Sequence, residues 1–145
     1  MGRKNTTYFV LNVVRGQWST GQRNKVQKQV AQLDRQRYGN EVITWVEQEP
    51  GSSGVDSVQA TITNLSGYSV FAERPTGSKE VRAMPFEAQS EGGNVKLIEG
   101  PWNTEYLEEL EGFPNGMFKD QVDASSGAFN KIALQIEPEA IIVSF

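Results

Sequence analysis

The sequence of 145 residues contains neither cysteine nor histidine. Disulfides, thiol nucleophiles, imidazole bases, Ser-His-Asp triads and zinc sites built on these ligands are therefore excluded. Any chemistry that the chain performs must depend on carboxylates, lysine or hydroxyl groups.

The sequence also lacks a long hydrophobic run. No apolar stretch approaches the roughly 20 residues that cross a bilayer, and no signal-peptide core follows Met1. We therefore expect a cytoplasmic protein without a membrane segment. With 37% hydrophobic residues and no linker long enough to divide it, the chain is expected to form a single domain over residues 1–145.

Acidic residues are missing from the first 33 positions, which contain several lysines and arginines, whereas 99–111 is acidic. The net charge of −4 argues against a surface that coats nucleic acid, because phosphate binding depends on Lys and Arg. A basic arm beside an acidic metal site would suit a nuclease. For Lys25 and Lys28 individually, a solvated helix face is the favoured interpretation.

The hydrophobic pattern alternates between strand and helix periodicity, which predicts an α/β layered fold. Strands are predicted at 8–14, 42–46, 68–72 and 95–98, and helices at 20–39, 54–65, 80–90, 102–111 and 119–134. In the first helix, Val26, Val30 and Leu33 recur at helical spacing and are predicted to face the core. In the last helix, Val122, Phe129, Ala133 and Ile136 form the predicted buried stripe, with Ser126 in the gap.

Glu47 follows a run, 42–46, that is apolar on both faces, as in a parallel strand covered by helices. Functional side chains of α/β sheets lie at the carboxyl ends of strands, so Glu47 is well placed for function. Glu49, two residues further along, is interpreted as a solvated loop acid.

Asp120 and Asp123 stand near the start of the last helix, behind the Pro/Asn/Gly turn at 113–118. Residues three apart share a helical face, so both carboxylates could serve one metal ion. Acids in a first helical turn are equally common as caps and as partners of the helix dipole. At this point both interpretations stay open.

Several motifs, in this order and spacing, resemble the C-terminal nuclease domain of phage and prophage terminase large subunits. The resemblance covers about residues 8–135. Its motifs are Val46–Gly54, Gly77–Ala83, Gly93–Leu97, Gly100–Asn103, Leu107–Leu110, Phe113–Gly116 and Asp120–Ala124. One departure is Lys119, which stands where many family members have the first acid of a pair.

The resemblance implies a ribonuclease H-like mixed sheet flanked by helices. It assigns Glu47, Asp120 and Asp123 as catalytic, metal-binding acids, with Asp123 either completing the site or anchoring it. An all-oxygen site without histidine implies Mg²⁺ or Mn²⁺. Lys79 and Arg82 lie three residues apart and are interpreted either as contacts to DNA phosphate or as ordinary surface cations.

The family cuts concatemeric viral DNA during packaging, after a separate ATPase domain has engaged it. The implied partners are double-stranded DNA, the terminase ATPase domain, the small terminase subunit and the portal. The resemblance also implies that the protein is encoded by a phage or prophage and is located in the cytoplasm of the bacterial host.

Family members carry an essential aspartate on the first strand, but here no acid precedes Asp34. We therefore expect an N-terminally truncated domain with little or no nuclease activity alone, and an unpaired sheet edge that would invite homodimerisation. The alternative is an inactive prophage remnant that serves as a DNA- or protein-binding assembly module. A third interpretation is an unrelated α/β domain whose acids are helix caps.

The C-terminal tail, 136–145, lies beyond the resemblance. Its β-prone residues are expected to form either an added strand or an exposed end.

Overall fold

The structure is a computed structural model that describes residues 1–134 and 141–144. Strands and helices alternate along the chain, which confirms the predicted α/β class. In order they are β1 (Gly2–Lys4), β2 (Thr7–Val10), α1 (Thr20–Tyr38), β3 (Val42–Glu47), α2 (Ser52–Asn64), β4 (Ser69–Glu73), α3 (Lys79–Glu91), β5 (Val95–Leu97), α4 (Asn103–Gly112), α5 (Asp120–Leu134) and β6 (Ile141–Ser144).

The described residues form two compact units. The first unit contains Met1–Arg15 and the chain from Gly77 through α5, and the second contains Gly16–Thr76 and β6. Whether the two units make the single domain expected over residues 1–145 stays a prediction, and each unit is described by itself.

The first unit contains a three-stranded sheet in the order β1-β2-β5. β1 pairs antiparallel with β2, and Gly2 lies opposite Phe9. β2 pairs parallel with β5, and Tyr8 lies opposite Val95. The strand predicted at 8–14 ends at Val10. β1 was not predicted, because Gly2–Lys4 has no apolar alternation to indicate a strand.

α5 lies at the centre of the first unit. The Phe129 ring is 2% exposed and contacts the rings of Tyr8 and Phe86, with centroids 4.6 Å and 5.7 Å away. Val122 and Phe129 are buried as predicted, but Ala133 is exposed and its neighbour Ile132 is buried instead. Aromatic and aliphatic burial of this kind contributes about 1.5–3 kcal/mol per side chain.

Ser126 occupies a fully buried position on the same helix. Its exposed fraction is 0%, and its hydroxyl donates a hydrogen bond to the Val122 carbonyl at 2.7 Å. The small side chain therefore fills the gap in the apolar stripe without leaving an unpaired polar group. Ile136, the last member of the predicted stripe, lies outside the described residues.

The second unit contains a parallel sheet in the order β4-β3-β6. Ile43 lies opposite Ser69 of β4 and Ile142 of β6, so β3 is the central strand. Thr44 and Val46 point to the buried side. The tail therefore adds a strand at 141–144, whereas 136–140 and 145 lie outside the described residues.

α1 turns a different face inward from the one predicted. Gln27, Ala31 and Asp34 are buried, whereas Val26 and Val30 are half-buried and Leu33 is 42% exposed. Ala31 lines a cleft together with Val42 and Thr44 of β3. The buried row is therefore displaced by one residue from the predicted row, and the predicted apolar residues lie at the edge of the buried face.

Among the described helices, none has the length and apolar character needed to cross a bilayer.

Phe129→Ala should lower the free energy of unfolding by about 3–5 kcal/mol, because the substitution leaves a cavity between two aromatic rings. Urea unfolding followed by circular dichroism measures this change. Leu134→Ala, on the same helix at a position 81% exposed, is the matched control and should change stability by less than about 0.5 kcal/mol. Equal losses for both variants would contradict the central role of Phe129.

Candidate functional site

The chain turns tightly between α4 and α5. The Gly116 N–H donates a hydrogen bond to the Gly112 carbonyl at 2.6 Å. A Cβ on Gly116 would lie 3.1 Å from that oxygen, which is tighter than an ordinary contact. The turn therefore favours glycine at 116, as the predicted Pro/Asn/Gly turn requires.

The first turn of α5 is capped by a glutamate from α4. One oxygen of Glu109 accepts the backbone N–H groups of Gln121 and Val122 at 2.6 Å and 3.1 Å, and its other oxygen accepts the Gln121 side-chain amide at 2.7 Å. Glu109 is 7% exposed. A buried carboxylate is stabilised here because it satisfies unpaired helical N–H groups and meets the positive end of the helix dipole.

Sequence reasoning missed this role of Glu109, because the acidic stretch 99–111 was read by its charge alone. The feature of the sequence that could have indicated this role is the spacing of Glu109 from Tyr106. Glu109 stands three residues after Tyr106, so the two share a helical face, and Tyr106 is 0% exposed. A carboxylate on the inward face of a helix needs hydrogen-bond donors, and the start of α5 supplies two backbone N–H groups.

Tyr106 forms a second buried link between α4 and α5. Its hydroxyl donates a hydrogen bond to the Ser125 hydroxyl at 2.8 Å. Burial raises the pKa of Tyr106 to about 12, and the nearby Glu109 charge acts in the same direction. The phenol is therefore neutral at all physiological pH values.

Asp120 and Asp123, which the sequence treats alike, lie in different surroundings. The Asp120 side chain is 91% exposed, and one of its oxygens lies 3.2 Å from the Lys79 ammonium. The Asp123 side chain is only 8% exposed. One carboxylate is therefore open to solvent and the other is largely buried.

Arg82 of α3 holds the buried carboxylate. Its Nη2 donates to both Asp123 oxygens at 2.7 Å and 2.9 Å, and its Nη1 donates to the Gly77 carbonyl at 3.0 Å. This interaction joins α3 to α5 and compensates the charge of a carboxylate that has left water.

Lys79 bridges the two aspartates, with its Nζ also 3.3 Å from an Asp123 oxygen. Burial by itself would lower the pKa of Lys79, but hydrogen bonds to Asp120 and Asp123 outweigh it and raise the pKa above its ordinary value. Lys79 and Arg82 thus share one face of α3, as predicted, and that face meets the acids of α5. Their contact with DNA phosphate stays a prediction.

Glu47 is the last residue of β3 in the second unit and is exposed, at the carboxyl end of its strand as predicted. It lies opposite Glu73 of β4 in the parallel register, and the Gln48 N–H donates to the Glu73 carbonyl at 2.8 Å. Glu73 was not singled out from the sequence. The sequence alone does not show that Glu73 lies beside Glu47, because this depends on the register between β3 and β4.

These surroundings decide which carboxylates suit a hard divalent cation. Glu47 and Asp120 present exposed oxygens, the ligand type that Mg²⁺ and Mn²⁺ prefer. Both oxygens of Asp123 accept hydrogen bonds from Arg82, and its role as a metal ligand stays a prediction. Within each unit, the described residues contain no group of three or more acids that could hold a metal ion.

A family model described as the terminase RNaseH-like domain matches residues 17–132. The match includes the acids Glu47, Asp120 and Asp123 and both cations of α3. It confirms the resemblance drawn from the sequence motifs and the ribonuclease H-like class of the fold. No curated protein and no solved structure gives a match.

Glu109→Gln should destabilise the chain by about 1–3 kcal/mol, because a neutral amide gives the α5 N–H groups one weaker acceptor and turns an NH₂ group towards a donor. Thermal and urea unfolding measure the loss. Glu108→Gln, at the exposed neighbouring position of α4, is the matched control. If the two variants were equally stable, Glu109 would not be the cap of α5.

The free energy of unfolding should fall between pH 10 and about pH 12. Over this range the unfolded Tyr106 loses its proton while the folded phenol keeps it, so rising pH favours the unfolded chain. The loss should be on the order of 2 kcal/mol at the upper end. Urea unfolding at several pH values gives the slope, and Tyr106→Phe should flatten it. An unchanged slope in Tyr106→Phe would contradict the assignment.

Proposed function

Because this chain belongs to the terminase RNaseH-like domain family, we propose that it is the nuclease domain of a phage terminase large subunit. Its reaction is metal-dependent endonucleolytic cleavage of concatemeric viral DNA during packaging. The observation that supports this most directly is the family match over 17–132, which contains an exposed aspartate at the start of α5.

We assign Glu47 and Asp120 as metal-binding acids and Asp123 as an acid that positions Asp120 through Lys79. A bound Mg²⁺ or Mn²⁺ would supply positive charge beside the scissile phosphate and lower the pKa of a coordinated water. Asp120 offers one oxygen beyond its contact with Lys79, and it lies at the N-terminal end of α5, where the helix dipole favours negative charge.

Asp123 serves this site indirectly. By holding Arg82 and Lys79 it fixes two cations beside Asp120. Removing the Asp123 charge would leave Arg82 largely buried without a counter-ion, which costs several kcal/mol. We therefore expect Asp123 to be a positioning residue.

Lys79 and Arg82 are proposed as the DNA-binding pair, with unequal shares. The Lys79 side chain is 38% exposed and can donate further hydrogen bonds to a phosphate, whereas Arg82 is 19% exposed and already donates to Asp123 and Gly77. Lys79 is the main phosphate contact in this proposal, and Arg82 holds the acid beneath it.

Double-stranded DNA is the proposed substrate. The terminase ATPase domain, the small terminase subunit and the portal are the proposed partners, in the cytoplasm of a bacterial host. The family match supports these partners in general terms.

A plasmid-nicking assay with millimolar Mn²⁺ tests the proposal. Any conversion of supercoiled DNA to the open circle, which we expect to be slow for this chain, should require the metal and should fall by about 100-fold or below detection in Asp120→Ala and Glu47→Ala, because each removes a metal ligand. Both residues are exposed, so circular dichroism and unfolding curves should be unchanged. Glu49→Ala, in the turn after β3 and also exposed, is the matched control.

Two results would contradict the proposal. Cleavage that survives both Ala substitutions would show that the acids are not the ligands. The second result is that no metal-dependent nicking occurs and that Mn²⁺ leaves the backbone NMR signals of Glu47 and Asp120 unbroadened. This result would favour the DNA- or protein-binding assembly module.

A further inference from the structure

The outer face of α3 carries a row of exposed apolar residues. Val81 is 60% exposed and Met84 is 61% exposed, and Ala88 continues the row at an exposed position. The spacing is three and then four residues, the repeat of a helix seam that packs against another helix. We call these three residues the α3 outer row.

Acids line one side of the α3 outer row. Glu80, Glu87 and Glu91 are all exposed and recur at intervals of seven and four residues, so they share a face next to Met84. The two cations of α3, Lys79 and Arg82, face the acids of α5 instead. The charge beside the α3 outer row is therefore negative, so this face of α3 does not suit a nucleic acid.

α1 carries a row with the opposite charge. Val26 and Val30 are half-buried and Leu33 is 42% exposed, at intervals of four and three residues. Arg23 and Arg37 extend the same row at its two ends, and both are exposed. We call Val26, Val30 and Leu33 the α1 outer row.

The balance of charge on α1 is strongly basic. The helix contains one acid, Asp34, which is buried, and its basic residues are Arg23, Lys25, Lys28, Arg35 and Arg37. An apolar row with arginine at both ends thus complements an apolar row flanked by glutamates.

We propose that the α3 outer row of one copy packs against the α1 outer row of a second copy of this chain. Apolar contact between Val81, Met84 and Leu33 provides the attraction, and arginine–glutamate pairs at the rim select the partner and the register. This contact is separate from the nuclease proposal, because neither row contains a metal-binding acid.

The contact should be weak and sensitive to salt. Three apolar residues on each helix bury less than a standard interface of about 1,600 Å², so dissociation is expected in the micromolar range or above. Rim ion pairs are screened at high ionic strength. Self-association should therefore decrease several-fold between about 50 mM and 500 mM NaCl.

Sedimentation equilibrium of the full chain, from about 5 to 300 µM in 50 mM NaCl, tests the proposal. Wild type should self-associate. Glu87→Lys/Glu91→Lys on α3 should be monomeric, because both rows are then basic. Arg23→Glu/Arg37→Glu on α1 should also be monomeric, because both rows are then acidic.

Mixing the two variants is the decisive step. In a 1:1 mixture, the basic α1 of one variant meets the acidic α3 of the other, so association should return to the wild-type level. Glu108→Lys on α4 is the matched control and should associate like wild type. A monomeric wild type at 300 µM overturns the proposal, and so do variants that still self-associate or a mixture that stays monomeric. Plasmid nicking should be the same in all these variants, so a failure here is distinct from a failure of the nuclease proposal.

Discussion

The carboxylate of Glu109 at the start of α5 is the interaction on which the first unit depends. α5 supplies the buried centre of this unit and both aspartates of the family motif, and its first N–H groups are satisfied by Glu109. A helix start under a neighbouring helix has no water to serve its N–H groups, so an acceptor must come from the protein. This link joins Leu107–Leu110 to Asp120–Ala124, since Gln121 and Val122 of the second stretch donate to Glu109 of the first.

The same constraint separates the two aspartates. With the helix start fixed by Glu109, Asp120 projects into solvent while Asp123, one turn later, lies beside α3. There a buried charge requires a partner, and Arg82 provides two hydrogen bonds to it. Lys79 lies between the exposed and the buried acid, so the cations of α3 and the acids of α5 form one balanced cluster. In the proposed nuclease, this cluster would orient the exposed acid through its contact with Lys79.

Much of the fold was predictable because it rests on local patterns. The alternation of β-rich and amphipathic segments predicted the α/β class, and α5 was placed to within one residue of its start. The position of Glu47 at the end of β3 followed from an apolar run that stops at an acid. By contrast, β1 has no hydrophobic signature, and its place depends on backbone pairing with β2. The predicted inward face of α1 was wrong by one residue, because the inward row contains the polar residues Gln27 and Asp34, which a hydrophobic pattern does not mark as buried.

By itself, the sequence determined the class of fold, the family and the acids and cations worth examining, because these depend on residue order and spacing. Only the tertiary structure decided that Asp120 is open, that Asp123 is held by Arg82 and that Glu109 caps the helix between them. Burial and hydrogen-bond partners arise from residues far apart in the chain, such as Arg82 and Asp123. Identical side chains three positions apart therefore receive different environments that no local pattern encodes.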